Sequence, residues 1–393
     1  MKQITLGLDR LLTDPEAYLR GKTFGLVVNQ TSQTSDGYPS IPRLYSLDRF
    51  QLTTLFAPEH GLYGVNQDMA AVADHVDSTS SLPVKSLYGT DSSSLTPSPD
   101  LLRELDNLIF DIQDVGSRYY TFIYTLANCM QVCAKTDTRM IVCDRPNPIN
   151  GVTVEGNLVG GKYRSFVGQY PLPNRHGMTV GELANLYNKH FEIGCDLTVI
   201  PMQGWKRTMW YDQTGLSWVA PSPNMPTLST ATVYPGMCLI EGTLLSEGRG
   251  TTLPFEQVGA PYIQAETLSE TLNAENLPGL FFRPHYFKPQ FQKWSGEVCG
   301  GVQLHVRDRE VFKPFLTGIA VLCSIKKLHP EDFSWRTEPY EFVSDRPAID
   351  LLYGNPTLRE KMESGSICLQ ELEASWDGET EEFLQRREEY LIY

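Results

Sequence analysis

Through the first half of the chain, short apolar runs alternate with amphipathic stretches. Thr23-Phe24-Gly25-Leu26-Val27-Val28 and the runs over 52–56, 108–112 and 140–143 are apolar almost throughout. That is the pattern of strands covered on both faces. Between the last two, Phe122, Leu126, Met130 and Cys133 recur at helical spacing and predict a helix over 119–135. A further helix over 179–191 opens on the capping box Thr179-Val180-Gly181-Glu182, and 197–202 reads as one more strand. This alternation predicts an α/β fold with a parallel sheet and right-handed crossovers.

The texture changes at Pro221-Ser222-Pro223-Asn224-Met225-Pro226, where a domain boundary is expected. Residues 1–226 then form the α/β catalytic domain and 227–393 a smaller mixed α+β domain. In the latter, a strand over 301–306 mixes with a helix over 315–328. The acidic tail over 371–393 predicts a terminal helix that docks through Trp376, Phe383 and Tyr390.

Composition narrows the class. At 393 residues, with 41% hydrophobic and 20% charged residues, the chain is an ordinary globular protein with material for two cores. A net charge of −14 argues against nucleic acid or an anionic membrane surface as partner. The beginning of the chain carries no apolar leader segment, and no run approaches a membrane span. A cytoplasmic location is therefore expected, or a secreted or periplasmic one if a leader has been removed. The eight cysteines show no CxxC spacing and read as free thiols.

Candidate chemistry gathers where strands end. The turn Ala57-Pro58-Glu59-His60-Gly61 sets a carboxylate and an imidazole at the C-terminal end of a strand, where open α/β sheets bind ligands. Asp111, Gln113 and Asp114 leave the next long strand, with Arg118, Tyr119 and Tyr120 following. Asp144, Arg145 and Asn147 leave another, and Arg175 and His176 sit in a later Gly-flanked loop. Each acid alone reads more readily as a cap or an ion-pair partner than as a catalyst, but several on one rim suggest a site. The loop over 240–252, with glycines at 242, 248 and 250 around Glu247 and Arg249, reads either as a ligand loop or as a domain-junction loop whose charges pair internally. No GxGxxG, GxSxG or HExxH occurs, so neither a cofactor nor a resident metal is expected.

These blocks, together with Tyr234-Pro235-Gly236 and Glu247-Gly248-Arg249-Gly250-Thr251-Thr252, resemble in order the NamZ-type exo-β-N-acetylmuramidases along almost the whole chain. The resemblance implies a Rossmann-like N-terminal domain, a smaller C-terminal domain and an active-site cleft between them. It also implies release of terminal N-acetylmuramic acid from the non-reducing end of peptidoglycan fragments, with Glu59 at the position of the catalytic acid. Glycoside hydrolysis calls for a second carboxyl group, expected at Asp111 or Asp114, with Glu247 in reserve and His60 beside the acid. The lactyl carboxylate of muramic acid calls for Arg, expected at Arg175 and Arg249. Gln113, Arg118, Tyr119, Asp144, Arg145, Asn147 and His176 complete the expected sugar-binding set. The alternatives are a metal-dependent hydrolase or amidase built on His60, Asp111, Asp144 and His176, and a muropeptide-binding protein without turnover.

Overall fold

The computed structural model describes residues 3–393. Strands β1 (Thr23–Val28) and β2 (Gln51–Ala57) are followed by two short ones, β3 (His75–Val76) and β4 (Pro83–Ser86). Then come β5 (Asn107–Asp111), β6 (Arg139–Cys143) and β7 (Leu197–Ile200). They form one sheet in the order β3-β4-β2-β1-β5-β6-β7, parallel except for the β3 edge. The expected α/β fold is present, and the apolar runs account for its long strands. Only the short β3–β4 pair went unforeseen, because exposed two- and four-residue strands leave no periodic signal.

Side-chain alternation along each strand feeds two different cores. Phe24, Leu26, Val28, Ile109 and Ile141 pack on one face. Val27, Leu108, Phe110, Met140 and Val142 pack on the other, in a cluster that continues through Ile240, Phe315 and Leu351 into the second half of the chain. The two halves therefore share a core. The sheet order reverses direction between β1 and β5, which is the topological switch point where such sheets bind ligands.

The second half carries an antiparallel sheet of β8 (Gln257–Ala260), β9 (Leu280–Phe287) and β10 (Cys299–Val306), in the order β8-β10-β9. Two helices, Leu228–Met237 and Pro314–Leu328, cross at Gly236 and Gly318. A Cβ at Gly236 would stand 1.8 Å from the Pro314 carbonyl oxygen, and one at Gly318 would stand 2.1 Å from the Gly236 oxygen, so only glycine permits this crossing. The predicted helix over 119–135 is shorter, Phe122–Cys133, because Tyr119 to Thr121 are spent on the site described below. The tail divides into helices Leu369–Ala374 and Asp377–Arg387, and Trp376, Phe383 and Tyr390 are its buried anchors. It ends against the first sheet, where Tyr393 donates its hydroxyl to Asp144 Oδ2 at 2.7 Å and accepts from the Met202 N–H at 2.7 Å.

Candidate active site

Beyond the carboxyl end of β2, the Pro58-Glu59-His60-Gly61 turn puts His60 (φ +70°) and Gly61 (φ +79°) in left-handed backbone. His60 Nδ1 lies 2.9 Å from the Asn66 carbonyl oxygen. A carbonyl can only accept, so Nδ1 carries the hydrogen. Glu59 accepts from the Thr121 hydroxyl at 2.7 Å on one oxygen and from the Met69 N–H at 3.3 Å on the other. Both residues line a small recessed chamber.

The chamber walls come from both halves of the chain. Glu59, His60, Asp68, Tyr119, Tyr120 and Thr121 belong to the first, and Tyr234, Glu241, Arg249, Phe255, Tyr340 and Glu341 to the second, with Ser222 and Met225 between. Arg249 bridges three carboxylates: Nη1 to Asp68 at 2.9 Å, Nη2 to Glu241 at 2.6 Å and Nε to Glu247 at 3.2 Å. Its guanidinium carbon sits 5.0 Å from the Phe255 ring centre. Glu247 is also paired to Lys293 at 2.9 Å, so it acts on the chamber only through Arg249.

Four acids, Glu59, Asp68, Glu241 and Glu341, line the chamber beside the single guanidinium of Arg249. Burial opposes ionisation of Asp68, but Arg249 and the Gln292 amide outweigh it and hold its carboxyl below the usual range. Burial pushes the Glu241 carboxyl up. Burial and the neighbouring charge of Glu59 push Glu341 well above it.

The remaining strand-end residues are not in the chamber; they lock the rim that carries it. Asp111 is fully buried against Arg145, Oδ1 to Nη2 at 2.7 Å, and burial pushes its carboxyl up to about 6. Asp114 accepts from the Gly116 N–H at 2.7 Å and faces His176 Nε2 at 3.4 Å. Gln113 donates to the carbonyls of Asp114 and Pro146. Asp144 accepts from the Gly181 N–H, Thr179 and Tyr393, and Asn147 donates to the Met178 carbonyl.

Two arginines expected at the substrate are likewise interior. Arg118 spends its terminal nitrogens on four carbonyls, those of Asn157, Leu172, Leu352 and Tyr353. Arg175 donates to the Ile149 carbonyl and lies 5.5 Å from the Trp210 ring centre. Burial drops its pKa to about 10. The grouping of His60, Asp111, Asp144 and His176 does not form, since only His60 reaches the chamber. Among the described residues no group of three or more His, Cys, Asp or Glu is placed to hold a metal ion.

The residues missed from sequence are instructive. Glu241, Ser222 and Tyr234 lie inside motifs that were singled out for other members. Asp68, Tyr340 and Glu341 lie in irregular stretches with no periodicity, where an acid reads as a solvated charge.

A recessed, carboxyl-lined chamber beyond the carboxyl end of a parallel-sheet strand is a setting suited to acid–base hydrolysis. Residues 24–229 match the family description "Exo-beta-N-acetylmuramidase NamZ, N-terminal", and residues 232–393 match its C-terminal counterpart. The chain belongs to this NamZ family. It is 45% identical over 391 residues to the peptidoglycan beta-N-acetylmuramidase NamZ of Bacillus subtilis (strain 168), covering 100% of this chain and 92% of that protein. Two crystal structures of DUF1343 family proteins from Bacteroides fragilis NCTC 9343 superpose with TM-scores of 0.89 and 0.77 at 33% and 28% identity. Each match covers 100% of this chain and 99% of the other.

Proposed function

We propose that the protein is a glycosidase that releases terminal N-acetylmuramic acid from the non-reducing end of peptidoglycan fragments, with the catalytic carboxyl groups in the chamber beside β2. The observation that carries this reading is the meeting of Glu59 and Glu341 with Arg249 in one recessed space, in a chain related over its whole length to a peptidoglycan beta-N-acetylmuramidase. Glycoside hydrolysis needs one carboxyl group to protonate the leaving oxygen and a second to work at the anomeric carbon. Glu59 accepts hydrogen bonds on both oxygens, which suits a carboxylate working at the anomeric carbon better than the proton donor expected from sequence. His60, hydrogen-bonded through Nδ1, orients the turn that presents it.

The lactyl group distinguishes muramic acid from N-acetylglucosamine. Arg249 is the guanidinium in the chamber wall; its terminal nitrogens donate to Asp68 and Glu241, and Nε, 3.2 Å from Glu247, makes no hydrogen bond. The remaining N–H groups are the proposed donors to the lactyl carboxylate. Tyr119, Tyr120 and Tyr234 supply ring faces and edges for the sugar.

Among the described residues no helix is long and apolar enough to cross a membrane. The substrates proposed are fragments rather than intact wall, because a recessed chamber takes a chain end. Turnover of a chromogenic β-glycoside of N-acetylmuramic acid tests the reading. Release of the chromophore, with little from the matched N-acetylglucosamine glycoside, is expected. Tight binding without release would make the protein a muropeptide receptor instead.

A further inference from the structure

We propose that Glu341 protonates the leaving oxygen, and that the leaving sugar occupies the groove on its far side; this rests on the glycosidase reading above. Two surface hollows adjoin the chamber. The first, bordered by Lys293 and Arg336, meets it at Asp68 and Glu241. Arg249 ties that pair together at 2.9 and 2.6 Å, so this seam is a closed wall. The second, about 390 Å3, is lined by Asn128, Ser165, Phe166, Gln169 and Phe342. Among the described residues Glu341 alone lines both this groove and the chamber.

The backbone holds Glu341 at that divide. Tyr340 and Val343 exchange both main-chain hydrogen bonds at 2.9 Å. Between them Glu341 (φ +46°) and Phe342 (φ +66°) take left-handed conformations, which non-glycine residues adopt at a cost and which cluster at functional sites. Tyr88 donates its hydroxyl to Glu341 Oε2 at 3.0 Å. The charged and titratable groups that share the chamber or the groove with Glu341 include Glu59, His60, Asp68, Tyr88 and Arg164 from the first half and Glu241, Arg249 and Tyr340 from the second. Burial, with the charge of Glu59 beside it, pushes the Glu341 carboxyl well above its usual range. The groove beyond has the makings of a sugar subsite: the Phe166 and Phe342 rings beside the Asn128 and Gln169 amides, with Gln169 Oε1 lacking a protein partner.

In the step itself the C1–O electron pair leaves with the glycosidic oxygen, which takes the Glu341 proton and departs as a hydroxyl. A water oxygen ends on C1. One proton of that water goes to the new C1 hydroxyl and the other replaces the proton lost from the carboxyl pair.

Leaving-group dependence tests this. Glu341→Gln should cut kcat on an unactivated disaccharide by roughly 10²–10⁴-fold. It should spare a dinitrophenyl glycoside, whose leaving group needs no proton, and should abolish the alkaline limb of the pH profile. Tyr88→Phe removes a donor to the carboxylate form, so the alkaline limb of the disaccharide reaction should move to higher pH. Phe342→Ala should raise KM for the disaccharide more than for the aryl glycoside. Equal losses on both substrates in Glu341→Gln, or an unmoved alkaline limb in Tyr88→Phe, would overturn the assignment. A wild-type protein that cleaves neither substrate would overturn the glycosidase reading beneath it.

Discussion

Replacing Glu59 by Gln isolates a charge from a shape. Glu59 is 5% exposed and its two oxygens accept from Thr121 and Met69. An amide fits the same place: its oxygen takes the Met69 N–H, and its NH2 donates to the Thr121 hydroxyl, which turns to accept. Both hydrogen bonds survive, so the stability change should stay below about 1 kcal/mol. Unfolding entropy near 2.1 cal/mol/K per residue over 393 residues is about 0.8 kcal/mol/K. The melting temperature should therefore move by no more than about 1 °C. The rate is different, because an amide neither ionises nor exchanges a proton. A loss of roughly 10²–10⁴-fold in kcat is expected, or about 2.7–5.5 kcal/mol of barrier. Unlike Glu341→Gln, the loss should fall equally on the disaccharide and the aryl glycoside, since the deficit lies at the anomeric carbon. Steady-state kinetics on both substrates, with thermal melts of the same preparation, give the answer. More than about a tenth of the wild-type kcat remaining on the disaccharide would refute the assignment of Glu59.

Arg249→Lys keeps a charge between Asp68, Glu241 and Glu247 but loses the fork. It should lower kcat/KM on muramic acid glycosides by roughly 10- to 150-fold while the matched glucosamine glycoside is affected much less. Equal losses on both sugars would remove Arg249 from lactyl recognition. Arg175→Met, by contrast, should lower the melting temperature and leave the sugar preference intact, because its guanidinium faces Ile149 and Trp210 in the interior; a changed preference would contradict that placement. Burial pushes the Asp144 carboxyl from 3.8 up to about 7, so the folded state holds its proton more tightly than the unfolded chain. Its stabilising contribution is then full below about pH 4 and lost as pH rises through 7, at most about 4 kcal/mol. Asp144→Asn, whose amide imitates the protonated acid beside Thr179 and Tyr393, should flatten urea midpoints measured between pH 4.5 and 7.5; an unchanged slope would contradict the shift.

What the sequence disclosed and what it hid follow from range. Strands β1, β5 and β6 are legible because burial on both faces writes a local apolar run, and β2 and the edge strand β7 because their apolar, β-branched residues are contiguous. The Thr179 cap is legible because its partner Glu182 lies three residues away. Strand ends are legible too, which is why Glu59 and His60 stood out. Which polar group at a strand end faces a ligand and which braces the rim depends on partners far along the chain. Asp111 meets Arg145 across 34 residues and Asp144 meets Tyr393 across 249. Glu341 was invisible for the same reason. Its neighbours Tyr88 and Glu59 lie more than 250 residues away, and its turn carries neither Gly nor Asn to announce the left-handed backbone.

The core shared between the halves bears on how a sugar chain is handled. Ile240, Phe315 and Leu351 pack into the same apolar mass as the first sheet, which braces the two halves against each other. The chamber, walled by both halves, is then a recess in one packed body. A polymer cannot be clamped across it midway; it can only be threaded in by its tip, and the next residue must stay outside. On the proposed reading, trimming from the chain end then follows from a recess that receives a tip, with no recognition of the far end of the chain.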